Sequence, residues 1–234
     1  MSTTLDTLID TALVAENKKR EDEHKLSGKL SASMLGDPLQ VQILKAIGVP
    51  QKPVDEYTLR KFLRGNHVEE WFVNAIPTVE KQKHVEYRDA HGYADAIVDT
   101  KDWDHPVGII PLEVKSVTNL KFKRIESTGQ ADRSHKLQAG FYALSEGTTA
   151  FAIAYVASDD YRTRIELYET AEVAQEIEDI ITRFDAAKKD WEDNGKLPAF
   201  EAEEKWMADP KYAKFPDFIT LSPQQAAEKA SSML

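Results

Sequence analysis

The 234-residue chain has no cysteine, and that one absence removes several chemistries together. A disulfide framework, a thiolate zinc site, a cysteine-ligated iron–sulfur cluster and a cysteine nucleophile are all excluded. Long apolar runs are missing too. No stretch approaches the roughly 20 uninterrupted apolar residues of a membrane helix, and the first residues lack a basic flank leading into an apolar run. Neither a membrane partner nor secretion is expected, and the expected compartment is the cytoplasm. No G-x-x-x-x-G-K-[ST] loop occurs, so the chain encodes no nucleotide-driven motor. Positive charge is in deficit as well, with a formal net charge of −10, which argues against a uniformly basic nucleic-acid binder.

What is present is a globular composition, 41% hydrophobic and 30% charged, enough for one core with appendages. The charge is unevenly laid out. From Glu166 to Asp209 there are 14 acidic residues against 5 basic, whereas from Pro111 to Tyr142 there are 3 acidic against 6 basic. A field of that shape can guide a polyanion to one face of an otherwise acidic molecule. The basic residues Lys121, Lys123, Arg124, Arg133 and Lys136 are therefore the candidate polyanion-binding set, which the resemblance given below makes a DNA-binding one.

Hydrophobic periodicity divides the chain into an exposed N-terminal arm (1–28), a core domain (29–198) and a C-terminal tail (199–234). Ser31-Ala-Ser33 reads as a cap leading into an amphipathic helix that ends near Gly48 and Pro50. A second helix is expected from Asp55 to about Ala75, with Leu59, Phe62, Leu63, Trp71 and Phe72 as its apolar stripe. The period then changes to two. Val85 to Asp89 and Tyr93 to Val98 read as a hairpin turning at His91-Gly92, and Gly108 to Ser116 as the clearest strand. A helix over 134–144, strands over 150–157 and 162–168, and a helix over 171–194 complete the core. The class is α/β, a mixed β-sheet flanked by helices, with helical extensions at both ends.

The informative anomaly is Glu113-Val114-Lys115 within an apolar strand. Ile110, Leu112 and Val114 point to one side and Glu113 and Lys115 to the other, so charge is left beside a core unless something pairs with it. An isolated E-x-K is ordinarily an ion pair on a solvated sheet face. Here Asp95, in Gly92-Tyr-Ala-Asp95, falls on the strand expected to lie alongside. Asp95, Glu113 and the Val114 carbonyl together offer the hard oxygens that Mg²⁺ or Mn²⁺ requires, and Lys115 would face the same ion. His67, on the preceding helix, is the candidate fourth ligand, with Glu70 beside it as a water-mediated ligand or a structural acid. Gln138 and Tyr142, spaced i and i+4, share one helix face and can point together into a cleft.

The order Gly65…His67, Gly92-x-x-Asp95, Glu113-x-Lys115, Gln138-x-x-x-Tyr142 resembles the RecB-like branch of the PD-(D/E)XK nuclease superfamily, over roughly Ser31 to Tyr168. The resemblance implies a restriction-endonuclease-like core and a Mg²⁺- or Mn²⁺-dependent deoxyribonuclease. Asp95, Glu113, Lys115, Gln138 and Tyr142 would be its catalytic residues, and His67, Asp95, Glu113 and Val114 its metal ligands. It further implies an exonuclease preferring single-stranded DNA ends, acting in recombination, repair or phage and CRISPR DNA processing, with a helicase or recombination protein as partner. The alternatives are a structure-specific or restriction-type endonuclease and a DNA-binding subunit that does not cut. Many members of the branch, AddB-type and CRISPR-adaptation nucleases included, hold an iron–sulfur cluster on one cysteine before the core and three after it. Ser31 to Pro38 and the segment from Trp206 to Phe218 stand in those places without cysteine, so no cluster is expected. Aromatic packing by Trp206, Tyr212, Phe215 and Phe218 is expected to clamp the tail instead.

Overall fold

The computed structural model describes residues 5–23 and 26–234. Residues 1–4 and 24–25 of the predicted arm lie outside them. The arm is mostly a helix, α1 (Leu5–Glu23). It packs on the outer face of α3 (Glu56–Ala75), where Arg60 holds Asp10 at 2.6 Å.

Six strands form one mixed sheet with helices on both faces, the α/β arrangement expected from the sequence. β2 (Glu80–Tyr87) and β3 (Ala90–Asp99) are an antiparallel hairpin. The chain reverses at Arg88-Asp89, three residues before the His91-Gly92 position that residue type suggested. Arg88 takes a left-handed φ of 53°, which costs a non-glycine residue about 1 kcal/mol or more. Its guanidinium is held there by Glu178, Thr182 and Asp185, contacts that no local pattern announces.

β4 (Ile109–Val117) runs antiparallel to β3. The chain then crosses over through α4 (Asn119–Thr128) and α5 (Arg133–Glu146) and re-enters as β5 (Ala150–Ala157), parallel to β4. β6 (Thr163–Glu169) closes the sheet antiparallel to β5. A two-residue β1 (Leu30–Ser31) adds to the start of β3 in parallel.

Alternation along β4 and β5 sorts the core into two layers. Ile110, Leu112, Val114, Ala152 and Ala154 lie against Val68, Phe72 and Val73 of α3. Val117, Ile153, Tyr155 and Ala157 face Leu137, Phe141 and Tyr142 of α5. This second layer also takes in α2 (Leu39–Ala46), α6 (Ala174–Asn194) and α7 (Pro223–Met233). The expected serine cap is absent: Pro38 precedes α2 and the Ser31 hydroxyl pairs with Ser33, because the turn over Ala32–Met34 and Gly36-Asp37-Pro38 separates those serines from the helix. The aromatic clamp of the tail is half as expected. Phe215 and Phe218 are buried in the core, while Trp206 and Tyr212 stay exposed.

Candidate active site

β3 has two edges, and their occupants explain where charge can sit. β2 covers one edge from Ala90 to Ile97. On the other edge β1 pairs at Ala90 and His91, and β4 pairs only from Ala96 to Asp99. Residues 92–95 therefore face a gap in which β4 diverges from β3. Asp95 stands at the fork. The alternation of β3 slips by one there, for Ala94 belongs to the layer under α5 while Ala96 and Val98 belong to that under α3. Opposite the slip, Gln82 has a left-handed φ of 49°. In place of a ladder bond, the Val114 N–H donates to Asp95 Oδ2 at 2.7 Å.

Glu113 is the first residue of β4 past the fork, and it is 2% exposed. Its Oε1 receives the Lys115 ammonium at 2.5 Å. Lys115 Nζ also donates to Gln138 Oε1 at 3.0 Å, and Gln138 Nε2 donates to the Tyr142 hydroxyl at 2.9 Å. All five residues named as catalytic from the sequence are thus joined in one cluster. The ring of Tyr142 lies over Gly92, where a Cβ would stand 2.8 Å from Tyr142 Cε1 and 2.8 Å from the Ala32 methyl. Gly92→Ala should therefore cost about 1–3 kcal/mol of stability and displace Tyr142 from Gln138. The check is a denaturation curve beside the near-ultraviolet tyrosine signal; an unchanged pair would refute the close approach.

The electrostatics are those of charge crowded into a core. Burial, then Glu113, then Glu69 push the Asp95 pKa well above the ordinary carboxylate value, against the Val114 N–H. Burial raises Glu113 too, opposed first by Lys115. Tyr142 is driven upward by burial and then by Glu113, so it keeps its proton. Among the described residues no hydrogen bond reaches Glu113 Oε2, although the Tyr142 hydroxyl is near enough to help hold the Glu113 pKa down. A buried carboxylate oxygen without a donor, next to a second buried carboxylate, is a donor set that a hard divalent cation fits.

His67 does not join this cluster. It is exposed and lines a shallow recess with Glu70, Trp71 and Asn74. At about 100° per residue, the helix that turns Val68 and Phe72 into the sheet turns His67 away. Glu69, which the sequence reading passed over, takes the inward position. It is half-buried, accepts from Gln82 Nε2 at 2.6 Å, and is the acid whose charge reaches both Asp95 and Glu113. Among the described residues, no three histidine, aspartate or glutamate side chains stand close enough to hold a metal as placed. Of the four ligands expected from the sequence, the structure brings Asp95, Glu113 and Val114 together and leaves His67 outside.

The basic residues lie beside the cluster but are largely committed. Lys121 and Arg124 both pair with Asp132, and although burial raises its pKa, those two cations outweigh burial and hold it low. Arg133 pairs with Glu176 and with Glu203 of the tail, and Lys136 with Glu172. Lys123 is exposed. Lys121, Arg124 and Arg133, with Ser33, Gly36 and Trp206, line a groove of about 730 Å³. Most of these acids come from 36 or more residues away in the chain, which is why the segment reads as more basic than it is.

No family model matches the chain, and no curated protein does. Among solved structures, the chain is similar to an alkaline exonuclease, LHK-Exo, from Laribacter hongkongensis: 13% identity, TM-score 0.47, 71% of this chain and 93% of that one. LHK-Exo in complex with dAMP gives 12% identity and a TM-score of 0.45 over 69% and 90% of the two chains. SSO0001 gives 14%, 0.46, 96% and 99%. Scores and identities this low say nothing of residue roles here.

Proposed function

We propose that the chain is a divalent-metal-dependent deoxyribonuclease of restriction-endonuclease-like fold, with RecB-like affinities. The observation that carries the reading is the Asp95–Glu113–Lys115–Gln138–Tyr142 cluster at the strand fork, where two buried carboxylates leave an oxygen unsatisfied. Asp95, Glu113 and the Val114 carbonyl would hold Mg²⁺ or Mn²⁺, which when bound supplies Lewis acidity and an acidified water. Lys115 keeps an ammonium fixed between Glu113 and Gln138, positioned to offset charge that builds on a phosphoryl group. Gln138 and Tyr142 restrain that ammonium from the helix side, so its position does not depend on Glu113 alone. The groove along Lys121, Arg124 and Arg133 would carry the flanking phosphates.

In this reading the enzyme is an exonuclease that prefers single-stranded ends, in recombination, repair or phage and CRISPR DNA processing, coupled to unwinding only through a helicase or recombination partner. End-labelled linear DNA and circular single-stranded DNA, each with Mg²⁺, Mn²⁺ or EDTA, test it. Linear strands should be shortened from an end, circles should survive, and EDTA should stop the reaction. Cleaved circles would make it an endonuclease. DNA that is bound but uncut with either metal would make it a non-cleaving subunit and end the proposal.

A further inference from the structure

His135 lies in the first turn of α5 and has no part in the cluster described above. Its charged neighbours are Lys115 of that cluster and Lys121, Asp132 and Arg124 of the groove. Its Nδ1 is 2.9 Å from the hydroxyl of Tyr155, a fully buried residue in register with Lys115 on the adjacent strand.

That contact gives Tyr155 a hold on where the imidazole proton resides. Burial pushes the Tyr155 pKa far upward, so the phenol keeps its proton. The phenol can give that proton to Nδ1. Nδ1 is then an acceptor, and the ring proton must be on Nε2. Burial first, then Lys115 and Lys121, lower the His135 pKa to about 3 against the pull of Asp132, so the ring is a neutral donor at physiological pH. Among the described residues Nε2 has no hydrogen-bond partner, and it is not sealed from solvent. It is an open N–H in a place where the neighbouring cations already hold carboxylates.

We propose that His135 is a substrate-binding residue, whose Nε2–H, oriented by Tyr155, donates to a phosphate oxygen of the strand as it passes from the catalytic cluster into the groove. This deepens the nuclease reading and rests on it. A neutral donor suits the position, because it grips an anion without competing for Asp132 or Glu113.

Two measurements test it, both in EDTA, so neither depends on turnover. The first is nitrogen NMR of the histidine rings in the unaltered protein. The Nε2–H tautomer should persist from about pH 5 to pH 8, and Nε2 should shift on titration with a short oligothymidylate. An Nδ1–H tautomer, or an Nε2 blind to the oligonucleotide, overturns the proposal without any variant having to fold. The second is oligothymidylate affinity by fluorescence anisotropy. His135→Phe should weaken it about tenfold, His135→Gln should recover part through its amide, and Tyr155→Phe should fall between as the tautomers mix. Parent affinity in folded His135→Phe also overturns it. If the parent binds DNA through His135 yet never cuts with Mg²⁺ or Mn²⁺, the nuclease reading fails and this one stands; if it does not bind DNA, this one fails.

Discussion

Asp95→Asn should give a protein that melts about 2–4 °C higher than the parent and cuts DNA at least about a thousandfold more slowly. Both effects have one origin. Burial and the charges of Glu113 and Glu69 make the folded state hold a proton on Asp95 more tightly than the unfolded chain does. Stability from that protonation is complete below the unfolded value of about 4 and is lost as pH rises through the raised folded value. Where both carboxylates are ionised, the parent therefore carries a strained pair. Asparagine removes one charge and can still accept the Val114 N–H through its carbonyl oxygen. Melting temperature followed from about pH 4 to pH 8 should slope downward for the parent and flatten for the variant. Mg²⁺ should stabilise the parent and leave the variant nearly unmoved, because the proposed site needs both native carboxylates to hold it. A variant that melts below the parent throughout would remove the case for repulsion, and with it the reason a cation belongs there.

Lys115→Met should act in the opposite sense on stability. The Lys115 side chain is 24% exposed and its Glu113 partner 3%, so removing the ammonium strands a charge inside the core. The expected loss is about 3 kcal/mol, the lower end for a broken buried pair because the lysine is partly solvated, together with loss of cleavage. Adding Glu113→Gln should restore stability to within about 1 kcal/mol of the parent, since a neutral pair of similar shape replaces the ionic one, but should not restore cleavage. Denaturant unfolding of the parent, Lys115→Met, Glu113→Gln and the double variant measures the coupling. A single variant as stable as the parent would show that Glu113 is already protonated in the native state.

Sequence patterning located most of this site, for identifiable reasons. Alternation at 109–117 and the i, i+4 pairing of Gln138 with Tyr142 are local geometry, and the structure places those side chains as their spacing requires. Helix α3 was harder, because it has two apolar faces. Phe62 and Leu63 border α1 and the recess between the helices, whereas Val68, Phe72 and Val73 meet the sheet. Choosing the first face brings His67 forward and hides Glu69; the phase of Val68-x-x-x-Phe72 was the signal for the second. The slip at Asp95 has no local signal, since it is held by an amide 19 residues away. Helix α4 was missed because only Phe122 and Ile125 of its ten residues are buried.

The connection between β4 and β5 also orders the site in time. Asp95, Glu113 and Lys115 lie on a meander of consecutive antiparallel strands, which closes through short loops. Gln138, Tyr142, His135 and Tyr155 arrive only after the chain has crossed through residues 118–149 to set β5 parallel to β4, a pairing with a long loop to close and hence a slow one. Until then the two acids and the ammonium remain in water, where their charges cost little. Desolvation of the carboxylates and closure of the crossover are therefore expected to be a single late event, and the fold to complete its buried charge cluster last.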